Sequence, residues 1–182
     1  MDNKPVVTPY GSGESKKMEV EHMFDTIAPK YDLLNRVLSL GIDISWRKRA
    51  LGYLKPLQPG NLLDVATGTA DVAIMAAKML KPASIIGIDI ANQMLDFGRK
   101  KIDREGLQQI ITLETGDSEN LHFADAAFDA VTVAFGVRNF ENLEKGLAEM
   151  LRVLRPGGKG YISSIFKEIG ATMPSKMNLI YP

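Results

Sequence analysis

The segment NLLDVATGTAD (residues 61–71) is the most informative part of this 182-residue chain about its fold. Its first part, NLLDVA (61–66), is a short apolar run typical of a buried strand. Small residues follow at Ala66, Gly68 and Ala70, and they let a backbone pass close to a ligand at the carboxyl end of a strand. The stretch therefore predicts a strand, a ligand-binding turn and a helix that begins at residue 71.

The same alternation continues downstream of this stretch. Apolar runs of strand length are separated by amphipathic segments of helical length. Strands joined in this way form parallel pairs with right-handed crossovers, so the chain predicts a Rossmann-like, doubly wound α/β sheet. The predicted strands are 61–66, 84–89, 110–114, 128–135 and 160–166, the predicted helices are 71–80, 92–105 and 143–154, and a sharp turn is predicted at 156–158.

A different pattern precedes the sheet. The first 17 residues are polar and rich in Gly, Ser, Pro and Lys, which predicts a mobile leader. Apolar side chains then recur with helical spacing until the prolines and glycine of residues 56–60. We therefore predict one domain over 18–182, made of an N-terminal helical lid (18–58), a Rossmann-like core (60–166) and an atypical tail (167–182).

Composition excludes several classes of function. The chain has no cysteine, which excludes a disulfide scaffold and a cysteine nucleophile, and its two histidines predict no metal site. Lysine plus arginine and aspartate plus glutamate both number 22, so the charge balance predicts no nucleic-acid partner. Since no run of roughly 18 apolar residues and no signal-peptide core occurs, we expect a cytoplasmic enzyme or binding domain.

An acidic residue lies at the position where this architecture binds a ribose. Asp89 ends the second predicted strand, 21 residues after Gly68. At this spacing a carboxylate meets a ribose diol, because its oxygens can accept two hydroxyl hydrogen bonds. Asp117 and Ser118 follow the third predicted strand, where they form either a plain turn or a contact to an adenine amino group. The sequence therefore predicts a nucleoside ligand at the carboxyl edge of the sheet.

The first turn distinguishes between two nucleoside ligands. The dinucleotide pattern would place glycines at 66, 68 and 71, but these positions hold Ala66, Gly68 and Asp71. A negative charge at Asp71 would repel a pyrophosphate at a helix N-terminus, whereas with Asp64 it suits an ammonium or sulfonium group. This favours S-adenosyl-L-methionine over NAD, and a nucleotide-dependent oxidoreductase remains the alternative.

Five blocks of the chain carry a resemblance to known proteins. The four from residue 64 onward resemble class I S-adenosylmethionine-dependent methyltransferases, and the fifth (23–48) resembles a block characteristic of one family among them. Together they are more similar still to the quinone C-methyltransferases of menaquinone and ubiquinone biosynthesis, and AFGVRN (134–139) is the most specific signature of that family. The resemblance covers about residues 20–159. The blocks are MFDTIAPKYDLLNRVLSLGIDISWRK (23–48), DVATGTAD (64–71), GIDIANQML (87–95), DSENLHFADAAFDAVTVAFGVRN (117–139) and MLRVLRPGGK (150–159).

The resemblance implies a set of cofactor contacts. Thr69, Asp89, Asp117 and Ser118 would contact S-adenosyl-L-methionine, and Gly68 would allow the close backbone approach. Asp64 completes the set of predicted cofactor-binding residues.

The resemblance also implies methylation of a ring carbon of a polyprenyl quinol, with demethylmenaquinol as the first candidate. Arg138 and Asn139 would orient the ring oxygens, and Arg138 would stabilise a developing phenolate. The alternative for Arg138 is a structural ion pair with Glu141. Tyr31 and Asp32 are weaker catalytic candidates.

Two further expectations concern the surface and the C-terminus. The cations Arg47, Lys48 and Arg49 either touch a membrane or form a solvated helix face. After Lys159 the chain departs from the family pattern, so we expect it to lack the family's terminal strands. An exposed sheet edge would favour a homodimer, and a cofactor-binding but inactive fragment, or a methyltransferase for another small molecule, remain alternatives.

Overall fold

The computed structural model describes residues 9–39 and 42–163. Its described part contains six α-helices and one five-stranded parallel sheet, as the sequence predicts. The helices are α1 (Lys16–Ile27), α2 (Tyr31–Leu38), α3 (Ile42–Leu54), α4 (Asp71–Leu80), α5 (Asn92–Arg104) and α6 (Leu143–Val153). The strands are β1 (Asn61–Val65), β2 (Ser84–Asp89), β3 (Ile111–Thr115), β4 (Phe128–Ala134) and β5 (Leu154–Ser163).

The sheet is buried on both faces, as parallel sheets usually are. Successive residues of β1 point to opposite sides, so Leu62 packs with α3, α4 and α5 while Leu63 packs with α6. Both leucines are completely buried. This packing explains why the strands read as continuous apolar runs in the sequence.

The strand order is β3-β2-β1-β4-β5, with β1 and β4 as neighbours at the centre. The chain moves outward from β1 to β3, then returns to lie beside β1 as β4 and continues in the other direction. In doubly wound sheets, ligands bind outside the carboxyl ends of the strands at this switch point. The topology therefore places a binding crevice above β1 and β4.

The end of the predicted mobile leader (residues 1–17) is helical, because α1 begins within it. α1 begins at Lys16, and the side chain of Ser15 caps it by accepting a hydrogen bond from the Met18 backbone N–H at 3.3 Å. The buried carboxylate of Glu19 accepts backbone N–H bonds from Tyr10 at 2.6 Å and Ser12 at 2.7 Å. Residues 10–12 are therefore anchored to the first helix.

The last described strand differs from its prediction. β5 begins at Leu154, not at Gly160, because Leu154 already pairs with Phe128. The register then shifts, and Lys159 is the next residue to pair, with Ala130. Gly157, at φ +82°, lies in the chain that bulges out between these pairs. The predicted turn is thus a bulge within a strand, and residues 164–166 and the predicted tail lie outside the described residues.

The N-terminal helices differ from the sheet in their exposure. On α2, Leu33 is 65% exposed and Val37 is 60% exposed, and Trp46 on α3 is 44% exposed. Within the described ranges, no helix is long and apolar enough to cross a membrane.

Candidate functional site

An open pocket of about 710 Å³ lies above the carboxyl ends of β1 to β4. The loops after these four strands form its floor, and Val20 and Phe24 of α1 form one wall. The pocket brings together seven of the ten predicted site residues, from the carboxyl ends of four strands and from one helix. These are Tyr31, Gly68, Asp89, Asp117, Ser118, Arg138 and Asn139.

Asp89 lies at the centre of this pocket. Its Oδ2 accepts a hydrogen bond from the Gly68 backbone N–H at 2.8 Å, and its Oδ1 accepts one from the Ala91 N–H at 3.0 Å. Burial raises the pKa of Asp89 above its usual value, although these two N–H bonds oppose the shift. An ionised carboxylate has about four lone-pair sites, so Asp89 can still accept the two hydroxyl groups of a ribose.

Small residues shape the backbone around Asp89. Gly68 has φ +57°, and a Cβ there would approach Met94 Cε to 3.3 Å, inside the pocket. A Cβ on Gly136, in the loop after β4, would lie 2.3 Å from the Cβ of Ala66. Any larger residue at 68 or 136 would displace pocket-lining atoms, so the two glycines keep this part of the pocket open.

The same two loops hold residues in a backbone conformation that side chains disfavour. Three residues other than glycine have left-handed φ values here, Ala66 at +52°, Ala70 at +63° and Phe135 at +65°. Such conformations cost about 1–3 kcal/mol each and occur preferentially at functional sites. They flank the gap between β1 and β4, where the topology predicts ligand binding.

A lysine that the sequence analysis did not single out contacts Asp117. Lys17 of α1 places its Nζ 2.6 Å from Asp117 Oδ2 and 3.7 Å from Glu119 Oε2. Burial works against the charge on Lys17, but the hydrogen bond and charge of Asp117 raise the pKa of Lys17 overall. Glu119 is buried and also accepts the backbone N–H of Glu141 at 2.8 Å. This side of the pocket is therefore closed by an ion pair between α1 and the loop after β3.

Arg138 and Asn139 lie in a short 3₁₀ turn, Val137–Asn139, after β4. Lys16 of α1 donates to the backbone oxygens of Arg138 at 3.4 Å and Phe140 at 2.7 Å, which fixes the turn. The Arg138 side chain is exposed at the pocket, and in the described part of the chain it forms no ion pair with Glu141. Its guanidinium therefore has no carboxylate partner there.

Two further predicted residues, Asp64 and Thr69, line a second, adjoining pocket. Asp64 is 1% exposed, and the hydroxyl groups of Thr132 at 2.6 Å and Thr67 at 2.7 Å donate to its two oxygens. Burial raises the pKa of Asp64 to about 6, although the two threonine bonds oppose this. Thr69, also buried, donates to Asp32 Oδ1 at 2.5 Å.

The surroundings of Asp71 differ from those that the sequence predicts. Arg47 Nη1 donates to Asp71 Oδ2 at 2.7 Å, and Lys101 bonds to the other oxygen. Burial opposes ionisation, yet these two cations hold the pKa of Asp71 below its usual value. The carboxylate is thus compensated by protein cations, so the repulsion of a pyrophosphate expected from the sequence is weakened.

Arg47, one of the three adjacent cations on α3, is buried where the sequence predicts an exposed side chain. Arg47 is only 8% exposed, so it belongs neither to a solvated face nor to a membrane-facing one, whereas Lys48 and Arg49 are exposed. The sequence signal that distinguishes Arg47 is its position on the α3 face that carries the buried residues Ala50, Leu51 and Leu54. Among the residues the structure describes, no group of His, Cys, Asp and Glu could hold a metal ion.

The family model and the sequence relatives agree on one family. The model of the ubiE/COQ5 methyltransferase family matches residues 12–177, which is most of the chain. The chain belongs to the ubiE/COQ5 methyltransferase family. The match extends beyond both ends of the stretch on which the resemblance rests, about 20–159.

Individual relatives show the same similarity. The chain is 53% identical over 152 residues to the demethylmenaquinone methyltransferase of Bacteroides fragilis, covering 84% of this chain and 62% of the relative. It is 47% identical over 145 residues to the ubiquinone/menaquinone biosynthesis C-methyltransferase UbiE of Geotalea daltonii, covering 79% of this chain and 62% of the relative. The chain therefore spans somewhat less than two thirds of the length of these relatives.

Solved structures of other proteins have a similar fold. A protein of Methanococcus maripaludis, provisionally assigned as an S-adenosyl-L-methionine-dependent methyltransferase, superposes with a TM-score of 0.67 at 24% identity, covering 76% of this chain and 62% of that one. This similarity supports the Rossmann-like fold of class I methyltransferases that the sequence predicts.

Proposed function

We propose that this ubiE/COQ5 family member transfers a methyl group from S-adenosyl-L-methionine to a ring carbon of a polyprenyl quinol, with demethylmenaquinol as its acceptor and menaquinol as product. The observation that carries the proposal is that Asp89 at the end of β2, Asp117 after β3 and Arg138 after β4 line one pocket. The 53% identity to a protein named demethylmenaquinone methyltransferase supports the choice of acceptor.

The donor would occupy the pocket between α1 and the sheet. Asp89 would accept hydrogen bonds from the ribose hydroxyls, and Asp117 and Ser118 would contact the adenine. Gly68 leaves room beside Met94 for the close approach. Thr69 and Asp64, in the adjoining pocket, would lie farther along the donor.

The catalytic roles follow from the charge that develops on the acceptor. S-adenosyl-L-methionine would supply a methyl group on a positively charged sulfur, which would become a neutral thioether as the methyl group bonds to the ring carbon. The hydrogen of that ring carbon would leave as a proton to solvent. Arg138, exposed at the pocket without a carboxylate partner in the described chain, would stabilise negative charge on a ring oxygen. Asn139 would orient the same oxygen, and Tyr31, which lines both pockets, would help hold the ring in near-attack geometry.

The exposed apolar residues suit an acceptor with a prenyl tail. Leu33, Val37 and Trp46 lie on the surface of α2 and α3, and Lys48 and Arg49 are exposed on the same α3. Apolar side chains beside cations favour the surface of an anionic membrane. We infer a cytoplasmic protein with peripheral membrane contact, and a homodimer formed through β5, which is an edge strand of the sheet among the described residues.

A turnover assay tests the proposal. Purified protein is supplied with S-adenosyl-L-methionine and reduced demethylmenaquinone carrying a short prenyl tail, and the methylated product is measured by mass spectrometry. We expect turnover in the wild type and a loss of about 10²- to 10³-fold in kcat for Arg138→Met, because one stabilising group for the oxyanion is removed. Arg104→Met, which removes an exposed cation outside the pocket, is the matched control.

Three results would change the conclusion. Binding of S-adenosylhomocysteine without turnover would favour the alternative of a cofactor-binding but inactive chain. Turnover of a demethylated benzoquinol instead of the naphthoquinol would change only the acceptor. Binding of NADH instead of S-adenosylhomocysteine would replace methyl transfer with a nucleotide-dependent oxidoreductase.

A further inference from the structure

Phe135 is a large side chain in a backbone conformation that favours glycine. Its φ of +65° is a genuine outlier for a bulky aromatic residue. The next residue, Gly136, packs so closely against the loop after β1 that a Cβ there would lie 2.3 Å from the Cβ of Ala66. This packing leaves the Phe135 backbone little room to relax. Such outliers persist where the surrounding structure imposes them, and they cluster at binding and catalytic sites.

Packing in the core does not account for this conformation. Three clusters of buried apolar side chains form the core of the described chain, and Phe135 belongs to none of them. Its ring is half-buried and lines both pockets. A glycine at this position would remove the strain without opening a hole in the core. A phenyl ring held here therefore points to a ligand that contacts it.

The two sides of the Phe135 ring have different surroundings. The guanidinium carbon of Arg47 lies 5.8 Å from the ring centre, within the range of cation–π attraction. Arg47 lines the second pocket and not the first, so the side of the ring away from Arg47 borders the first pocket. Among the described residues, no other aromatic ring contacts Phe135. That side is therefore open to a flat ligand.

The strand order separates Phe135 from the proposed adenine contacts. Asp117 and Ser118 follow β3, whereas Phe135 follows β4, and three strand spacings lie between β3 and β4. At roughly 4.8 Å for each spacing, the two ends of the pocket are about 14 Å apart. A ring at the β4 end cannot stack on an adenine at the β3 end, so it remains available to the acceptor.

Phe135 and the proposed catalytic residues belong to one rigid loop. The backbone N–H of Asn139 donates to the Gly136 oxygen at 2.9 Å, which joins the residue after Phe135 to the 3₁₀ turn that carries Arg138. The side chains of Phe135, Arg138 and Asn139 all line the first pocket. An acceptor ring stacked on Phe135 would thus lie beside the two groups proposed to bind its oxygens.

We propose that the aromatic ring of the acceptor stacks on Phe135, and that this contact gives a preference for a two-ring naphthoquinol over a one-ring benzoquinol. Offset-stacked aromatic rings attract each other beyond the area that they bury, and two fused rings offer the larger face. This inference rests on the proposed function, because it takes a quinol as the acceptor.

Calorimetry on protein saturated with S-adenosylhomocysteine tests the proposal without turnover. The ligands are 2-methyl-1,4-naphthoquinone and 2-methyl-1,4-benzoquinone, which differ by the second ring and meet no cysteine in this chain. We expect Phe135→Leu to weaken naphthoquinone binding by about three- to tenfold, because the aromatic face is lost. Phe135→Tyr, which keeps the ring, should stay within about twofold of wild type. Phe123→Leu, at a half-buried ring that lines neither pocket, is the matched control and should also stay there.

Three further measurements separate acceptor binding from folding. The wild type should bind the naphthoquinone about threefold or more tightly than the benzoquinone, a comparison that needs no variant. In Phe135→Leu this preference should fall toward one, while the affinity for S-adenosylhomocysteine stays within about twofold of wild type. Phe135→Gly should unfold at the wild-type urea concentration or above it, since glycine adopts a left-handed φ without strain.

The contradicting results are distinct. Equal losses for S-adenosylhomocysteine and the naphthoquinone in Phe135→Leu would assign the ring to the donor or to the fold, and unchanged naphthoquinone binding would exclude it from the acceptor site. Unfolding of Phe135→Gly at a lower urea concentration would show that packing accounts for the ring. Each of these results overturns this inference alone. Failure of the wild type to bind S-adenosylhomocysteine would overturn the proposed function and this inference with it.

Discussion

The sheet and the N-terminal helices contribute to the site in different ways. The sheet fixes its floor through backbone geometry, because Asp89 is held by two backbone N–H groups and Gly68 adopts a left-handed conformation. The helices contribute side chains that reach across to the loops, as Lys17 and Arg47 do. The sheet therefore determines where a nucleoside can bind, and the helices determine which charges surround it.

The largest expected difference between the sheet and the N-terminal helices is in how much a leucine contributes to stability. Leu63→Ala, in the centre of β1, should lower the free energy of unfolding by about 2–5 kcal/mol, because it leaves a cavity between the sheet and α6. Leu33→Ala, at a side chain 65% exposed on α2, should change it by less than about 0.5 kcal/mol. Urea unfolding followed by circular dichroism measures both. Equal losses would show that α2 is packed as tightly as the sheet.

A second prediction concerns the buried carboxylate of β1. The pKa of Asp64 is raised from its ordinary 3.8 to about 6, so between these values the folded chain keeps a proton that the unfolded chain releases. Asp64 therefore stabilises the fold below this window, and its contribution is lost as the pH rises through about 6.

The measurement is the pH dependence of unfolding for wild type and Asp64→Asn. The free energy of unfolding of the variant, relative to wild type, should rise by about 3 kcal/mol from below pH 4 to above pH 6. Asp71 and Asp129 have lowered pKa values, so their contributions to stability grow as the pH rises. Both residues are present in wild type and in Asp64→Asn, so they do not affect the difference between the two. A pH-independent difference would contradict the burial of an ionisable Asp64.

The smallest expected effect concerns the contact between α1 and the loop after β3. Lys17 and Asp117 are each about one third exposed, so Lys17→Met should cost at most about 1 kcal/mol, and less in roughly 1 M salt. Lys78→Met, which breaks the more exposed Lys78–Glu105 pair, is the control and should cost less still. A cost well above 1 kcal/mol for Lys17→Met would show that α1 depends on this ion pair.

The parts of the fold that follow from local patterns were predictable. The sequence predicts the bounds of β2 correctly and those of β1 to within one residue, because buried parallel strands are short apolar runs with turn residues at their ends. The bulge at Gly157 was not predicted, since it depends on the pairing of β5 with β4. Pro156 and the following glycines are typical both of a turn and of a bulge, so the local sequence does not distinguish the two.

The candidate site was predictable where its residues follow strand ends. Asp89 and Asp117 follow strands that the sequence identifies, and parallel strands bring their carboxyl ends to one edge. The burial of Arg47 could be read from its helical spacing with Ala50, Leu51 and Leu54, but its pairing with Asp71, 24 residues away, was not predictable. Whether a charge is solvated or paired is a tertiary property that local sequence does not contain.

Titration with S-adenosylhomocysteine by calorimetry would show whether this ubiE/COQ5 family member binds the methyl donor through Asp89. We predict micromolar binding by the wild type and a loss of about 100-fold or more in Asp89→Ala, because a charged acceptor of two hydrogen bonds is removed. Asp96→Asn, at an exposed carboxylate on α5, should bind like wild type. Wild-type affinity in Asp89→Ala would contradict the claim.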